Sequence, residues 1–133
     1  MAVAAAVLAL VAASTAAAAG PLKLTRIGTR VGKVQETRTG FVARVILTAD
    51  KETVGKAKFR CRIRGDIADC SMKSRFSEGK IVARGPVEVG ERYPSLPITG
   101  GTGLFNEARG ELRFRRGAER PDFKLVYVLR RYG

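Results

Sequence analysis

Apolar and polar residues alternate strictly along the segment 56–64, where every even position is basic and every odd position is apolar. After Gly65 and Asp66 the alternation resumes, with small or apolar residues at the even positions from Ala68 to Phe76. A period of two residues is typical of a strand with one buried and one solvated face. Gly-Asp between two such runs indicates a two-residue turn. The two segments therefore predict a β-hairpin.

The predicted turn also fixes which residues face each other across this hairpin. It pairs position 64 with 67, 62 with 69 and 61 with 70. Counting outward from the turn, the 64/67 pair is hydrogen-bonded and the 61/70 pair is not. Pairs of the second kind lie closer together, so Cys61 and Cys70 are predicted within bridging distance on the buried face. We predict a disulfide between them, and the alternative is two reduced core thiols.

Further alternating runs predict an all-β fold. The additional strand candidates, of which the first two are the weakest, are Leu22–Ile27, Arg30–Gln35, Phe41–Thr48, Lys80–Val89, 108–115 and 123–130. Turn-forming residues stand between them at 77–79, 94–97, 100–103 and 117–121. Seven or eight short strands with such spacing are typical of an antiparallel β-barrel or sandwich. We expect a single antiparallel barrel of about eight strands.

The first 19 residues differ from the rest of the chain. They hold no charged residue, and an apolar run from Val3 to Val11 leads into the small residues 12–19. This order is typical of a secretory signal peptide and its cleavage site. We therefore predict a signal peptide over 1–19, cleaved after Ala18 or Ala19, and a secreted domain over 20–133. The alternative is an amphipathic or anchoring helix. An oxidising compartment also favours the predicted disulfide.

Composition excludes several kinds of site. The chain has no His and two Cys, so it lacks the residues for His-based triads, His metal sites, four-cysteine zinc sites and iron–sulfur clusters. The glycine-rich segment 98–103 resembles the turn of a dinucleotide-binding fold. However, that motif needs a helix after the turn and a third glycine where Asn106 stands. We expect no metal and no cofactor.

Over a longer window, the same segment resembles the GGTGxFxxARG signature of the dirigent and allene oxide cyclase-like barrel proteins. The matching residues are Gly100, Gly101, Thr102, Gly103, Phe105, Ala108, Arg109 and Gly110. Weaker similarity covers roughly residues 40–130, with the middle resembling the disulfide-bearing part of secreted bacterial members. The resemblance implies an eight-stranded barrel with an apolar lumen, assembled as a homodimer or homotrimer. It also implies that Phe105 closes one end of the barrel after a tight turn at 99–103.

The resemblance implies that the lumen binds or orients a small apolar molecule. Dirigent proteins steer the coupling of radicals made by a separate oxidase, and allene oxide cyclases are cofactor-independent isomerases. By alternation, the candidate lumen residues are Phe59, Met72, Ser74, Phe76, Ala83, Phe114 and Tyr127. Tyr127 carries an aromatic hydroxyl that either binds a ligand oxygen or is a satisfied core group. The catalytic residues stay unassigned, because Leu104 occupies a position where dirigent members carry an acid.

Charge supports a second hypothesis. The net charge is +13, with basic stripes at 58–64 and at Arg113, Arg115, Arg116, Arg130 and Arg131. Such stripes bind anionic surfaces or polymers, which would make the protein a non-catalytic envelope or adhesion protein. Specific nucleic-acid binding is not expected, because Phe59 alternates to the opposite face from its basic neighbours and cannot stack on bases beside them. Arg109 falls on the outer face, within reach of Glu107 or Glu111.

Overall fold

The computed structural model describes residues 22–116 and 123–131, with side chains over 27–115 and 123–130. It shows one closed antiparallel barrel in which each strand pairs with its sequence neighbours and β1 pairs with β8. The strands are β1 (Leu22–Glu36), β2 (Gly40–Ala49), β3 (Glu52–Arg64), β4 (Ile67–Phe76), β5 (Gly79–Glu88), β6 (Ser95–Gly101), β7 (Arg109–Arg116) and β8 (Phe123–Arg131). A 3-10 helix, Gly103–Phe105, lies between β6 and β7.

The β3–β4 hairpin has the predicted register. Arg64 pairs with Ile67, and Cys61 lies directly opposite Cys70. The two cysteines form a disulfide with their Cα atoms 4.1 Å apart, which is the close spacing of a pair without ladder hydrogen bonds. The predicted disulfide is confirmed, and it is consistent with an oxidising, extracytoplasmic compartment.

Two sequence expectations about strands need correction. The candidates Leu22–Ile27 and Arg30–Gln35 are one strand, β1, with irregular register between Leu24 and Ile27 against β8 and between Val31 and Val34 against β2. Gly28 and Thr29, which separate the two candidate runs, pair in register with Thr48 and Leu47 of β2, so the strand continues through them. The residues 1–19 and the turn 117–121 lie outside the described part of the chain.

The second correction concerns β6, where the sequence suggested turns at 94–97 and 100–103. Leu96 and Ile98 alternate into the interior and are 0% and 2% exposed, so the segment is a true strand. Pro97 lies just past the last β5–β6 pair, Ala83 with Ile98, so its missing N–H breaks no registered pair with β5. The turn therefore begins at Thr102 rather than at Thr99.

The interior is filled by inward-facing side chains from all eight strands. The largest fully buried ones are Leu47, Met72, Ile81, Leu96, Phe105, Leu112, Leu125, Tyr127 and Leu129. At the β1–β8 seam, the Thr29 hydroxyl donates to the Phe123 carbonyl at 2.8 Å and accepts from the Phe123 N–H at 3.0 Å. None of the described residues forms a helix long and apolar enough to cross a membrane.

Candidate functional site

All seven candidate lumen residues lie on the inner face of the barrel. Six of them are buried, and these are Met72, Ser74, Phe76, Ala83, Phe114 and Tyr127. Phe59 is partly buried and packs against the core. On β4 the inward residues follow one another along the barrel axis, so Cys70, Met72, Ser74 and Phe76 mark successive levels of the lumen.

A pair of hydroxyl groups forms the polar centre of the lumen. Ser74 Oγ and Tyr127 Oη share a hydrogen bond of 2.7 Å, and both residues are fully buried. Burial raises the pKa of Tyr127 well above its usual value, since the phenolate would lose its hydration, while the Ser74 hydrogen bond opposes this shift. Tyr127 is therefore a neutral phenol, and each hydroxyl retains capacity to bind a further oxygen or nitrogen.

One end of the barrel, here called the plugged end, is closed by the segment between β6 and β7. Phe105 and Ala108 are fully buried there, and the Phe105 ring lies 6.0 Å from that of Phe76. The Leu104 N–H donates to the Glu78 carbonyl at 3.0 Å, which ties the segment to the β4–β5 turn. The predicted closure by Phe105 is present in the structure.

The glycines of the motif serve this closure. Gly103 has a φ of +61°, a left-handed conformation that glycine adopts without strain. At Gly110, which has a φ of +150°, an added Cβ would collide with the Val128 carbonyl oxygen of β8. The structure therefore shows a close approach of the β8 backbone at Gly110.

The opposite end, here called the aromatic end, is lined by four phenylalanines. Phe59 lies 5.7 Å from Phe41 and 5.3 Å from Phe114, and Phe114 lies 5.3 Å from Phe123 (ring centroids). Phe41, Phe59 and Phe123 are partly exposed. Sequence reasoning missed Phe41 and Phe123 as lumen candidates, although the alternation of β8 places Phe123 on the same face as Tyr127.

The described interior offers few groups for proton transfer. Among the described side chains, the buried polar residues outside the tyrosine are Thr29 and Ser74, and no carboxylate is buried. In the same part of the chain, no cluster of three His, Cys, Asp or Glu residues could hold a metal ion. Such an interior suits the orientation of a substrate that is already reactive.

On the outer face, the motif arginine is not the partner of Glu111. Arg113 Nη2 and Arg130 Nη2 lie 2.8 and 3.6 Å from Glu111 Oε2, whereas Arg109 Nη1 donates to the Ala108 carbonyl at 2.7 Å. The Arg113 hydrogen bond is the largest influence on the pKa of Glu111 and lowers it. Of the two partners expected for Arg109, Glu107 or Glu111, Glu111 instead forms a cluster with Arg113 and Arg130.

Two pockets open on the outer surface of the barrel. The larger, of about 460 Å³, is lined by Arg60, Arg62, Asp69, Cys70, Ser71, Arg84, Gly85 and Pro86. The smaller, of about 120 Å³, is lined by Lys33, Gln35, Val42, Arg44, Lys58 and Arg60. Sequence alternation gives the basic stripe on β3, but not the concave shape that it lines.

Comparison with known proteins supports the fold. No protein-family model and no curated protein sequence matches this chain. A solved structure, named pyocyanin demethylase, is similar with a TM-score of 0.67 and 21% sequence identity. The similarity covers 80% of this chain and 98% of that one. At this identity the likeness establishes a shared fold, so the chain is an eight-stranded antiparallel barrel of a kind present in solved structures.

Proposed function

We propose that this barrel binds a small, largely apolar molecule in its lumen and orients it there. The observation that carries the proposal is the arrangement of the interior. Partly exposed phenylalanines form the aromatic end, and the buried Ser74–Tyr127 hydroxyl pair lies deeper in the barrel. Apolar pockets with a few fixed polar groups are typical of small-molecule sites.

The polar pair gives the proposed site a specific role. A ligand with one hydroxyl or carbonyl group would place its oxygen at Tyr127 Oη and its apolar body against the rings of Phe59 and Phe114. This polarity would fix the ligand's direction in the barrel, since a reversed ligand would leave its oxygen among aromatic rings. Fixed orientation is what controls stereochemistry in the coupling or cyclisation of a reactive substrate.

Two further features are part of the same proposal. The similarity to the dirigent and allene oxide cyclase-like signature supports a stereocontrolling role. The name of the similar solved structure, pyocyanin demethylase, denotes an enzyme that acts on pyocyanin. The apolar segment 1–19 and the Cys61–Cys70 disulfide support export as a secreted protein with a signal peptide.

Titration with the neutral fluorophore N-phenyl-1-naphthylamine tests binding in the lumen. Ala83 is fully buried opposite Met72, whereas Val82, one residue earlier, is partly exposed on the outer face. Ala83→Leu adds three carbon atoms in the space that the probe is proposed to occupy, so it should raise the Kd about tenfold. The matched outer variant, Val82→Leu, should leave the Kd unchanged. Equal effects of both variants would contradict binding in the lumen.

A dirigent-type role has its own test. A phenol is oxidised to phenoxy radicals by a separate one-electron oxidant, and the coupled product is analysed for enantiomeric excess. We expect an excess with the wild-type protein and a racemic product with Ala83→Leu, at the same rate of phenol consumption. A racemic product with every variant, together with confirmed probe binding, would show a binding protein without stereocontrol.

A further inference from the structure

The outer face of β2–β5 carries like charges directly opposite one another. Arg44 pairs in register with Lys58, which pairs with Lys73 on the next strand. A second row of the same kind holds Lys56, Arg75 and Lys80. Like charges in direct cross-strand positions destabilise a sheet. A row of three basic residues across three strands is therefore unfavourable for the fold itself, and it points to an anionic partner.

The basic residues on this face have little acidic compensation. The strands β2–β5 hold ten basic residues and three acidic ones, which are Glu52, Asp69 and Glu88. Asp69 pairs with Arg64 at 2.7 Å. On β7 and β8, Glu111 lies between Arg113 and Arg130. Basic residues thus outnumber acidic ones on both faces of the barrel.

The shape of this face is concave where the charges meet. The larger outer pocket is lined by Arg60, Arg62 and Arg84 together with Ser71 and the acidic Asp69, whose carboxylate pairs with Arg64. The smaller pocket adds Lys33 and Gln35, and the two share Arg60. We call the two pockets together, with all the residues that line either one, the basic groove. It combines cations that bind sulfate or carboxylate with a hydroxyl and an amide that hydrogen-bond to hydroxyl groups.

We propose that the basic groove binds a linear anionic polysaccharide. Single-stranded nucleic acid is disfavoured, because neither pocket is lined by an aromatic side chain on which bases could stack. A lipid bilayer is flat and would leave the concave pockets unfilled. A sugar chain carrying sulfate or carboxylate groups matches both the cations and the neutral hydrogen-bonding groups of the groove.

The test measures affinity for a size-defined heparin oligosaccharide at several salt concentrations. Arg60→Gln/Arg84→Gln removes two exposed charges from the groove, and Arg115→Gln/Lys124→Gln removes two exposed charges from the β7–β8 face. Both variants lower the +13 charge equally. We expect the groove variant to raise the Kd about tenfold. It should also lower the slope of log Kd against log salt concentration by roughly one to two. The control variant should change the Kd less than about twofold.

Two results would overturn this proposal. Equal losses in the two variants would show that net charge alone attracts the polysaccharide. Tighter binding of duplex DNA or of vesicles containing anionic lipid, at the same salt concentration, would assign the groove to another partner. Both variants should keep their unfolding midpoints and their binding of N-phenyl-1-naphthylamine, so a failure here is separable from a failure of the lumen hypothesis.

Discussion

The two ends of the barrel are built from the same residue type with opposite results. At the plugged end, Phe105, the last residue of the 3-10 helix, is fully buried with its ring against that of Phe76. At the aromatic end, Phe41, Phe59 and Phe123 contact other rings yet stay partly exposed. Among the described residues, the segment 102–108 folds over the plugged end and hydrogen-bonds to the β4–β5 turn.

This difference concerns how accessible the aromatic rings are at each end of the barrel. Complete burial of the Phe105 side chain under the covering backbone stabilises the fold. Partly exposed rings above a buried hydroxyl pair retain apolar surface that a ligand can cover. The two ends therefore differ in how fully their rings are covered, since Phe105 is buried and three rings at the aromatic end keep exposed surface.

The largest expected effect compares one phenylalanine at each end. Phe105→Ala should lower the free energy of unfolding by about 3–5 kcal/mol, since it opens a cavity in a fully buried site. Phe41→Ala should cost about 1 kcal/mol, near the centre of ordinary substitutions. Urea unfolding of both variants measures the difference. Equal losses would mean that the two ends are packed alike.

The next largest effect on stability is expected from the disulfide, and mainly near the aromatic end. Cys61 lies in register with Phe41 on one side and Cys70 on the other. Replacing both cysteines with Ala should lower the free energy of unfolding by somewhat less than ~3 kcal/mol, the value for a fifteen-residue loop. Amide hydrogen exchange should accelerate around the β3–β4 turn more than at residues 102–108. Uniform acceleration would argue against a local brace.

The hydroxyl pair in the lumen offers a smaller, non-additive effect. Ser74→Ala leaves the Tyr127 hydroxyl buried without this partner, and Tyr127→Phe does the same to Ser74. Each change should lower the free energy of unfolding by about 1–3 kcal/mol. The double variant should be little worse than either single variant, because no buried hydroxyl is then left unpaired. Additive losses in urea unfolding would contradict a direct interaction.

The smallest effect concerns the ionisation of Tyr127, and it appears only in alkaline solution. Burial raises the pKa of Tyr127 above that of the unfolded chain, so the unfolded state loses its proton first. The contribution to stability is complete below about pH 10 and is lost as the pH rises toward the folded pKa. The unfolding free energy of the wild type, relative to that of Tyr127→Phe, should therefore fall above about pH 10. A difference that is constant with pH would contradict burial of a neutral phenol.

The sequence predicts best where local pattern and turn chemistry agree. Alternation around Gly65 and Asp66 places Cys61 opposite Cys70 because a two-residue turn leaves one register available. At β6 the same reasoning fails, since Pro97 and the glycines resemble a turn while Leu96 and Ile98 are held in the core by neighbouring strands. Tertiary packing decides that segment, and its effect is not visible locally.

The candidate site shows the same division. Alternation is enough to assign Tyr127 and Ser74 to the interior, but their hydrogen bond joins residues 53 positions apart and depends on barrel closure. The clustering of Phe41 with Phe59 likewise follows from cross-strand positions that no short segment defines. Which residues face inward is predictable from sequence, whereas which of them meet is not.

A crystal structure of the protein with N-phenyl-1-naphthylamine would test the central claim most directly. The account predicts density for the probe inside the barrel, with its aromatic body against Phe59 and Phe114 and its amine directed toward Tyr127 Oη. Density confined to the outer surface, or an unoccupied interior at a probe concentration that saturates the protein in solution, would contradict it.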